Sequence, residues 1–508
     1  LHGRPDGYGR IRIGGLRTEA NAQLNLMAMA LGLYECGLTQ SYKDLPAAFY
    51  ADLTPQPVRA PVLTVLNAPL VLSLGLDPAA LATSNNLNLL AGNLFPASGA
   101  AIAQAYAGHQ FGHFTQLGDG RALLLGELQT PDGQLVDIQL KGSGPTPYAR
   151  RGDGRAALAP MLREYLISEA MHGLGIPTTR SLAVVATGEP VYRETAQPGA
   201  ILTRIAASHI RVGTFEFAAT QGILELKALA DYAIDRHYPQ ARSEANPYLA
   251  FLKAVIDRQA ALIARWMQVG FVHGVMNTDN MSIAGETIDY GPCAFMDRYD
   301  PATVFSSIDR QGRYAYGNQP RIAQWNLSRL AEALLPILNE DEAAALQLAQ
   351  SAIGGYPGLY QSYWHTALCH KVGISNPDRN AVRLAGELLE IMWEAQGDFT
   401  GTFWQLTTGS LTDERYADWY SRWQAMIDTQ PGGLEQARQL MQQANPVIIP
   451  RNRLVQEALD AAEQKGSFTR FEQLVAALQN PYDPALAKSI YAQIPDASAK
   501  PYVTYCGT

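Results

Sequence analysis

The chain has 508 residues, 47% of them hydrophobic and 17% charged, with a formal net charge of -8 and a pI of about 5.7. A chain this long and this apolar buries a large core in two or more lobes, and its acidic balance argues against a nucleic-acid partner, which favours a basic face. Four cysteines over 508 residues indicate a reducing, cytoplasmic setting and not a disulfide scaffold.

In chain order, the apolar stretch Leu24 to Tyr34 is too short to span a bilayer and reads as a short helix or irregular entry, so no membrane partner is expected. Gly112 to Leu117 reads as a strand, Gly118-Asp119-Gly120-Arg121 as a glycine turn, and Ala122 to Leu128 as a second strand. Pro131-Asp132-Gly133 makes a tight turn, after which Leu135 to Lys141 alternates apolar and polar with period two, the pattern of a half-buried strand. Ala156 to Leu174 has helical spacing at Leu158, Leu162, Leu166, Ala170 and Leu174 and stops at Gly175, with Pro177 beyond. Glu164 and Glu169 both lie on this helix. Downstream, Trp325 to Leu338, Asp341 to Ala352, Arg379 to Gln396, Gly433 to Ala444 and Leu454 to Gln464 carry apolar residues at helical spacing, while Asn318 to Pro320 and Asn445 to Arg451 read as loops. Trp364, Trp393, Trp404, Trp419 and Trp423 fit core packing. His365, Cys369 and His370 lack zinc spacing.

The chemistry lies in His273-Gly-Val-Met-Asn-Thr-Asp-Asn280 and Asp289-Tyr-Gly291. A protein-kinase catalytic loop of the form H-R-D-x-x-x-x-N places its base two residues after the His and a metal-holding Asn five residues later, and a D-F-G Asp grips a second metal contact. His273 and Asn280 keep that separation, but Val275 fills the slot of the base and cannot accept a proton. Asp279 is the available substitute. Upstream, Lys141 ends a strand as the phosphate-contacting kinase Lys does, and a Glu on the following helix would orient it. Glu164 and Glu169 point in different directions, so only one can serve. Each pattern alone is weak, since a Gly-Asp-Gly is usually a hairpin turn and a strand-end Lys usually a solvated charge. Their succession in mechanism order carries the reading.

Tyr106-Ala-Gly-His-Gln-Phe-Gly112, Leu140-Lys-Gly-Ser-Gly-Pro-Thr-Pro-Tyr148, Gly152-Asp-Gly-Arg155, His273 to Met281 and Ile288-Asp-Tyr-Gly-Pro292 together resemble the selenoprotein O family of protein adenylyltransferases. The resemblance covers nearly all of the chain. It implies an α+β, protein-kinase-like bilobal fold, with a sheet-bearing, nucleotide-binding N-lobe over 40–206 and a mostly helical C-lobe over 207–498. A 1–39 extension matching no pattern precedes them, and a 499–508 tail with Cys506 follows. It further implies that ATP binds turned around, with AMP passing to Ser, Thr or Tyr hydroxyls of protein substrates and pyrophosphate leaving, in a role connected to redox homeostasis.

The site residues implied by the resemblance are Asp279 as base, Asn280 and Asp289 as holders of Mg²⁺ or Mn²⁺, and Lys141 oriented by Glu164. Gly118, Gly120, Arg121, Asp153, Gly154, Arg204, Arg211 and Asp289 are implied nucleotide contacts. Guanidinium groups suit the phosphates of a turned nucleotide because they offer paired donors; without the resemblance, Arg204 and Arg211 would read as surface arginines. In some members the tail carries selenocysteine and in others Cys, and the tail residue pairs with a Cys near the active site, which implies Cys293 and Cys506 as a redox pair; from the residues alone they are two unrelated thiols. A monomer is expected, in the bacterial cytoplasm, or in mitochondria for a eukaryotic source. A conventional kinase transferring the γ-phosphate and an inactive nucleotide-binding pseudokinase scaffold are the alternative readings.

Overall fold

A computed structural model of the chain describes residues 31–96, 99, 101–495 and 502–504. Cys506 and most of the Leu24 to Tyr34 stretch lie outside the described residues. The first half is built on an antiparallel sheet: β1 (Tyr50–Asp52), β2 (Val62–Leu66), β3 (Ile102–Gln104), β6 (Ala122–Gln129), β7 (Leu135–Lys141), β9 (Arg180–Tyr192) and β10 (Ala196–Ala206), in the order β1-β3-β6-β7-β10-β9-β2, with β8 (Ala156–Ala157) added beside β10. The short helices α1 (Ala68–Ser73), α2 (Pro78–Leu81) and α3 (Ser84–Leu90) belong to one side of this sheet, and α4 (Leu158–Gly173) packs on the other. A separate hairpin, β4 (Ala107–Gln110) and β5 (His113–Gln116), projects toward the second lobe.

The two covered faces explain the strand sequences. Leu123, Leu125, Ile138, Leu140, Val185 and Ile201 join a core with α1 to α3, whereas Leu124, Val184, Ala200 and Leu202 join the core that continues through α4 into the helical lobe. Alternate residues point to opposite faces, so Asp137, Gln139 and Lys141 all face α4. The half-buried reading of this strand is corrected: Val136 and Leu135 are partly exposed, but 137–141 is buried on both faces. Burial of its polar residues is tolerated because each has a partner. Asp137 receives Arg236 Nη2 at 2.6 Å and His209 Nδ1 at 3.0 Å, and Gln139 accepts from Arg204 Nη1 at 3.2 Å.

The second lobe is helical: α5 (Val212–Gln221), α6 (Ile223–His237), α7 (Pro247–Val269), α8 (Gln319–Leu338), α9 (Glu342–Lys371), α10 (Arg379–Glu394), α11 (Phe399–Thr408), α12 (Ala417–Thr429), α13 (Gly433–Ala444), α14 (Asn452–Lys465) and α15 (Thr469–Leu478). Between α7 and α8, β11 (Phe271–Val272) pairs antiparallel with β12 (Ala294–Phe295). The fold is thus α+β and bilobal, in the protein-kinase-like arrangement.

Two boundaries differ from the sequence reading. Pro320 lies in the first turn of α8 and not in a loop; its missing N–H falls where a helix has no internal acceptor for it. The helix expected to end at Ala352 runs on to Lys371 through Gly354, Gly355 and Pro357, because packing against α7 and α8 outweighs the local cost of these residues. Among the described residues, no helix is long and apolar enough to cross a membrane.

Lys371, at the end of α9, is 1% exposed, with its ammonium 4.1 Å from the ring centre of Phe403 and 5.2 Å from that of Phe399. Burial pushes its pKa down to about 7. Since the unfolded chain keeps this lysine charged to higher pH, the unfolded state binds the extra proton between about pH 7 and the ordinary lysine value, and stability rises with pH across that window. Wild type should gain about 2 kcal/mol relative to Lys371→Met between pH 7 and pH 9, measured by urea unfolding of both proteins at the two pH values. Equal pH slopes for the two proteins would contradict this.

Candidate active site

The site is assembled by register. Lys141 lies opposite Leu202 and Gln139 opposite Arg204 across β7 and β10, so Lys141 and Arg204 emerge on the α4 face of the sheet. Glu164, 3% exposed in the middle of α4, accepts from Lys141 Nζ at 2.7 Å and from Arg204 Nε at 2.9 Å. Glu169 is taken by Arg180, at 2.9 and 2.7 Å, which decides between the two glutamates.

From the other lobe, the β11–β12 pair holds the two motif loops side by side. His273 follows β11 and is fully buried, stacked on Trp266. Burial pushes its pKa down, so the ring is neutral. Its Nε2–H donates to the carbonyl of Ile288 at 2.9 Å, tying the catalytic loop to the residue before Asp289. Asp289 itself has φ of 63°, a conformation uncommon outside glycine and tolerated best by Asn and Asp. Its Oδ1 accepts from Lys141 Nζ at 2.9 Å and Arg204 Nη2 at 2.6 Å, and its Oδ2 from Arg211 Nη1 at 2.7 Å. Burial opposes ionisation, yet Arg204, Lys141 and Arg211 together hold Asp289 well below the usual carboxylate range.

Arg211 also donates to the backbone carbonyl of Asp279 at 2.7 Å and lies over the Tyr106 ring at 4.6 Å. One guanidinium therefore joins the two motif loops. The Asp279 carboxylate has Gln110 Nε2 3.5 Å from Oδ2, while its buried Oδ1 has no hydrogen-bond partner. Burial pushes its pKa up to about 6. A buried carboxylate oxygen with no partner is unusual and marks a candidate functional group. The backbone of β4 and α5 can approach this carboxylate only because of glycine: a Cβ at Gly108 would overlap Asp279, and one at Gly213 would overlap the Ala107 carbonyl. Gly108→Ala should therefore shift Asp279 and lower kcat by about tenfold to a hundredfold while ATP affinity holds. A comparison of kcat with the Kd for ATP checks this.

These groups surround a cleft of about 460 Å³ between the lobes. Gly118, Gly120, Arg121, Lys141, Arg204, Arg211, Asp279, Asn280 and Asp289 all line it, and Glu164 lies behind Lys141. Asp153 and Gly154 do not line it. Asp153 is exposed and paired with Arg193 at 2.9 Å, and Gly154 has φ of 65° where any side chain would overlap the Gly144 backbone, so this pair shapes the loop that backs the glycine turn.

Three contributors carried no role in the sequence reading. Asp119, between the two glycines of the turn, is buried, accepts from the Gln104 N–H at 3.2 Å, and has its pKa pushed up to about 6 by burial. Tyr106 and Gln110 belong to a stretch whose form was noted without roles. Gln110 stands between Gly108 and Gly112, and Tyr106 two residues before Gly108, and this closeness to two glycines is the signal the sequence offers. Cys293 is buried, with its thiol pushed up to about 12 by burial.

A strand lysine fixed by a helix glutamate, a glycine turn and an Asn/Asp pair across an interlobe cleft define a nucleotide-dependent transferase of the kinase-like kind. The family model described as "Protein adenylyltransferase SelO" matches residues 33–479. A "Protein nucleotidyltransferase YdiU" of Brevibacillus brevis is 57% identical over 475 residues, covering 92% of this chain and 97% of that protein; those of Halalkalibacterium halodurans and Alkaliphilus metalliredigens are each 56% identical, covering 92% and 93% of this chain and 96% and 97% of those proteins. The chain belongs to the SelO family of protein adenylyltransferases and is an enzyme of the nucleotidyltransferase class.

Proposed function

We propose that the cleft binds ATP with its α-phosphate toward Asp279 and its terminal phosphates toward Lys141, Arg204 and Arg211, and transfers AMP to a Ser, Thr or Tyr hydroxyl of a protein. The observation that carries this reading is the unpartnered, buried Oδ1 of Asp279, in a chain whose kinase base position is Val275. The acceptor oxygen attacks the α-phosphorus, its proton passes to Asp279, and the bond to the departing pyrophosphate breaks. Lys141, Arg204 and Arg211 stabilise the charge that develops on pyrophosphate, and because all three are already held by Asp289 and Glu164 they need little reorganisation to do so. Arg121 and the backbone of Gly118 and Gly120 flank the phosphates, with Asp153 and Gly154 supporting that turn.

A divalent cation fits the donors present. Asn280 spends its Nδ2–H on the Val275 carbonyl at 3.0 Å, which turns its oxygen away as a donor, and Asp289 is held ionised. Hard oxygen donors of this kind, few in number and completed by phosphate, suit Mg²⁺ or Mn²⁺. Asn280 and Asp289 would hold the ion, which supplies charge neutralisation at the leaving phosphates. Mass analysis of a modified acceptor protein tests the reading. An adenylyl increment on a Ser, Thr or Tyr supports it, and a phosphoryl increment places the protein among conventional kinases.

Redox control through Cys293 and Cys506 belongs to the same proposal. Thr504, two residues before Cys506, donates its hydroxyl to the Pro292 carbonyl at 2.7 Å, and the Ser307 N–H donates to the Thr504 carbonyl at 3.0 Å, so the described part of the tail lies against the residue preceding Cys293. With an external disulfide as oxidant, Cys506 attacks first, forming a mixed disulfide and releasing one thiol; Cys293, whose raised pKa makes it the slower attacking group, then attacks the Cys506 sulfur and releases the second thiol, closing the bond. Wild-type activity should change with added dithiothreitol, and Cys506→Ser should remove that dependence; identical activity with and without reductant in the wild type would sink the pairing.

A further inference from the structure

A second cavity, of about 690 Å³, adjoins the nucleotide cleft and shares Phe111 and Ile308 with it. Its walls come from the β4–β5 hairpin, the 308–318 loop and the first turns of α8, and its charged groups are Arg310, Arg313 and Arg321, with Asp309. Asp309 forms no ion pair with them. Its two oxygens accept from the backbone N–H groups of Arg313 at 2.9 Å and Tyr314 at 2.8 Å, so it serves to shape the loop. Among the described residues, none of the three arginines forms an ion pair. Arg313 instead lies over the Trp325 ring at 4.8 Å, and its buried Nε has no hydrogen-bond partner. Arg310 and Arg321 are exposed. Arg321 is the third residue of α8, where the helix dipole disfavours a cation, so it is not there for the sake of the helix.

Three guanidinium groups against the single carboxylate of Asp309, gathered in one groove of a chain whose net charge is -8, leave an anion-seeking surface. Apolar side chains stand beside it: Ile308 is 54% exposed and Phe114, on the same hairpin as His113, 47%. The groove is also coupled to the chemistry. The Tyr314 hydroxyl donates to Asn277 Oδ1 at 2.6 Å, and the Phe111 N–H donates to the same oxygen at 3.1 Å. Both walls are thereby fastened to the residue two positions before Asp279.

Resting on the adenylyltransferase reading, we propose that this groove docks an acidic segment of the acceptor protein, a stretch bearing Asp and Glu side chains next to the hydroxyl that receives AMP. Carboxylates pair with the guanidinium forks, the aromatic and aliphatic rim takes the intervening side chains, and the hydroxyl is delivered to Asp279. Such charge complementarity selects the partner and its register.

The test uses the full chain and the double variant Arg310→Glu/Arg321→Glu, two exposed positions outside the nucleotide cleft. Fluorescence anisotropy measures binding of a labelled peptide with one Ser flanked by Asp and Glu, of its Asn and Gln counterpart, and of a single-stranded DNA oligonucleotide. Wild type should bind the acidic peptide about tenfold or more tightly than the neutral one, and the double variant should lose that preference with its thermal unfolding and ATP affinity unchanged. In the transfer assay, KM for the acidic peptide should rise by a similar factor while KM for ATP holds. Equal binding of the two peptides, indifference to the double substitution, or tighter binding of the oligonucleotide would each overturn the proposal. Binding is read without ATP, so a protein that docks the peptide but transfers no AMP would refute the adenylyltransferase reading and leave the groove standing as a carboxylate site.

Discussion

Asp289→Ala should abolish metal-dependent AMP transfer, lowering kcat by about 10³-fold or more, and should destabilise the protein as well. The carboxylate accepts from Lys141, Arg204 and Arg211, and Arg204 and Arg211 are 1% and 3% exposed. Removing one partner of a buried ion pair leaves a charge uncompensated and costs about 3–5 kcal/mol. Glu164 continues to serve Lys141 and Arg204, so the burden falls on Arg211, whose other ion pair among the described residues is the longer one to Asp119, at 3.8 Å. Asp289→Asn separates chemistry from folding. Asn tolerates the left-handed backbone at this position and keeps one acceptor oxygen, so it should unfold at a higher temperature than Asp289→Ala and yet be nearly as inactive. Full activity in either variant would remove the metal assignment.

Asp279→Asn should be almost as damaging to turnover and nearly harmless to nucleotide binding. A positioned general base contributes about 10²- to 10⁴-fold. The amide preserves shape against Gly108, and Arg211 bonds to the backbone carbonyl of Asp279, which the substitution leaves in place. We expect kcat to fall by that factor with the Kd for ATP changed by less than about threefold, the mark of an interaction used in the chemical step. A large loss of ATP affinity with kcat preserved would make Asp279 a nucleotide ligand.

What the sequence disclosed was mostly local. Lys141 could be placed at a strand end from period-two alternation, and α4 from its apolar spacing and the Gly175 stop, because both signals lie within one element. Choosing Glu164 over Glu169 could not be done from spacing, since the choice depends on Arg180 of β9 occupying Glu169. Without the family resemblance, which implies a phosphate contact, Arg204 reads as a surface residue; strand pairing sets it opposite Gln139 and beneath α4. Of the hairpin β4–β5 the sequence pattern marks only the second strand, although Phe111-Gly112 supplies its positive-φ turn. Helix α7 is absent from the sequence reading although its Asn246 cap, the Pro in its first turn and the left-handed Gly270 at its end are all local signals. The arginine groove could not be foreseen, because Arg310, Arg313 and Arg321 look like ordinary surface charge until the fold gathers them in one cavity where, among the described residues, they form no ion pair.

The central claim is the direction in which the nucleotide lies. Incubating the protein with Mg²⁺ or Mn²⁺ and ATP labelled at either the α- or the γ-phosphate, with Asp289→Ala as control, tests it most directly. Protein-bound label from the α-phosphate alone, absent in the control, is the predicted result; label from the γ-phosphate alone would make the protein a kinase and contradict the account.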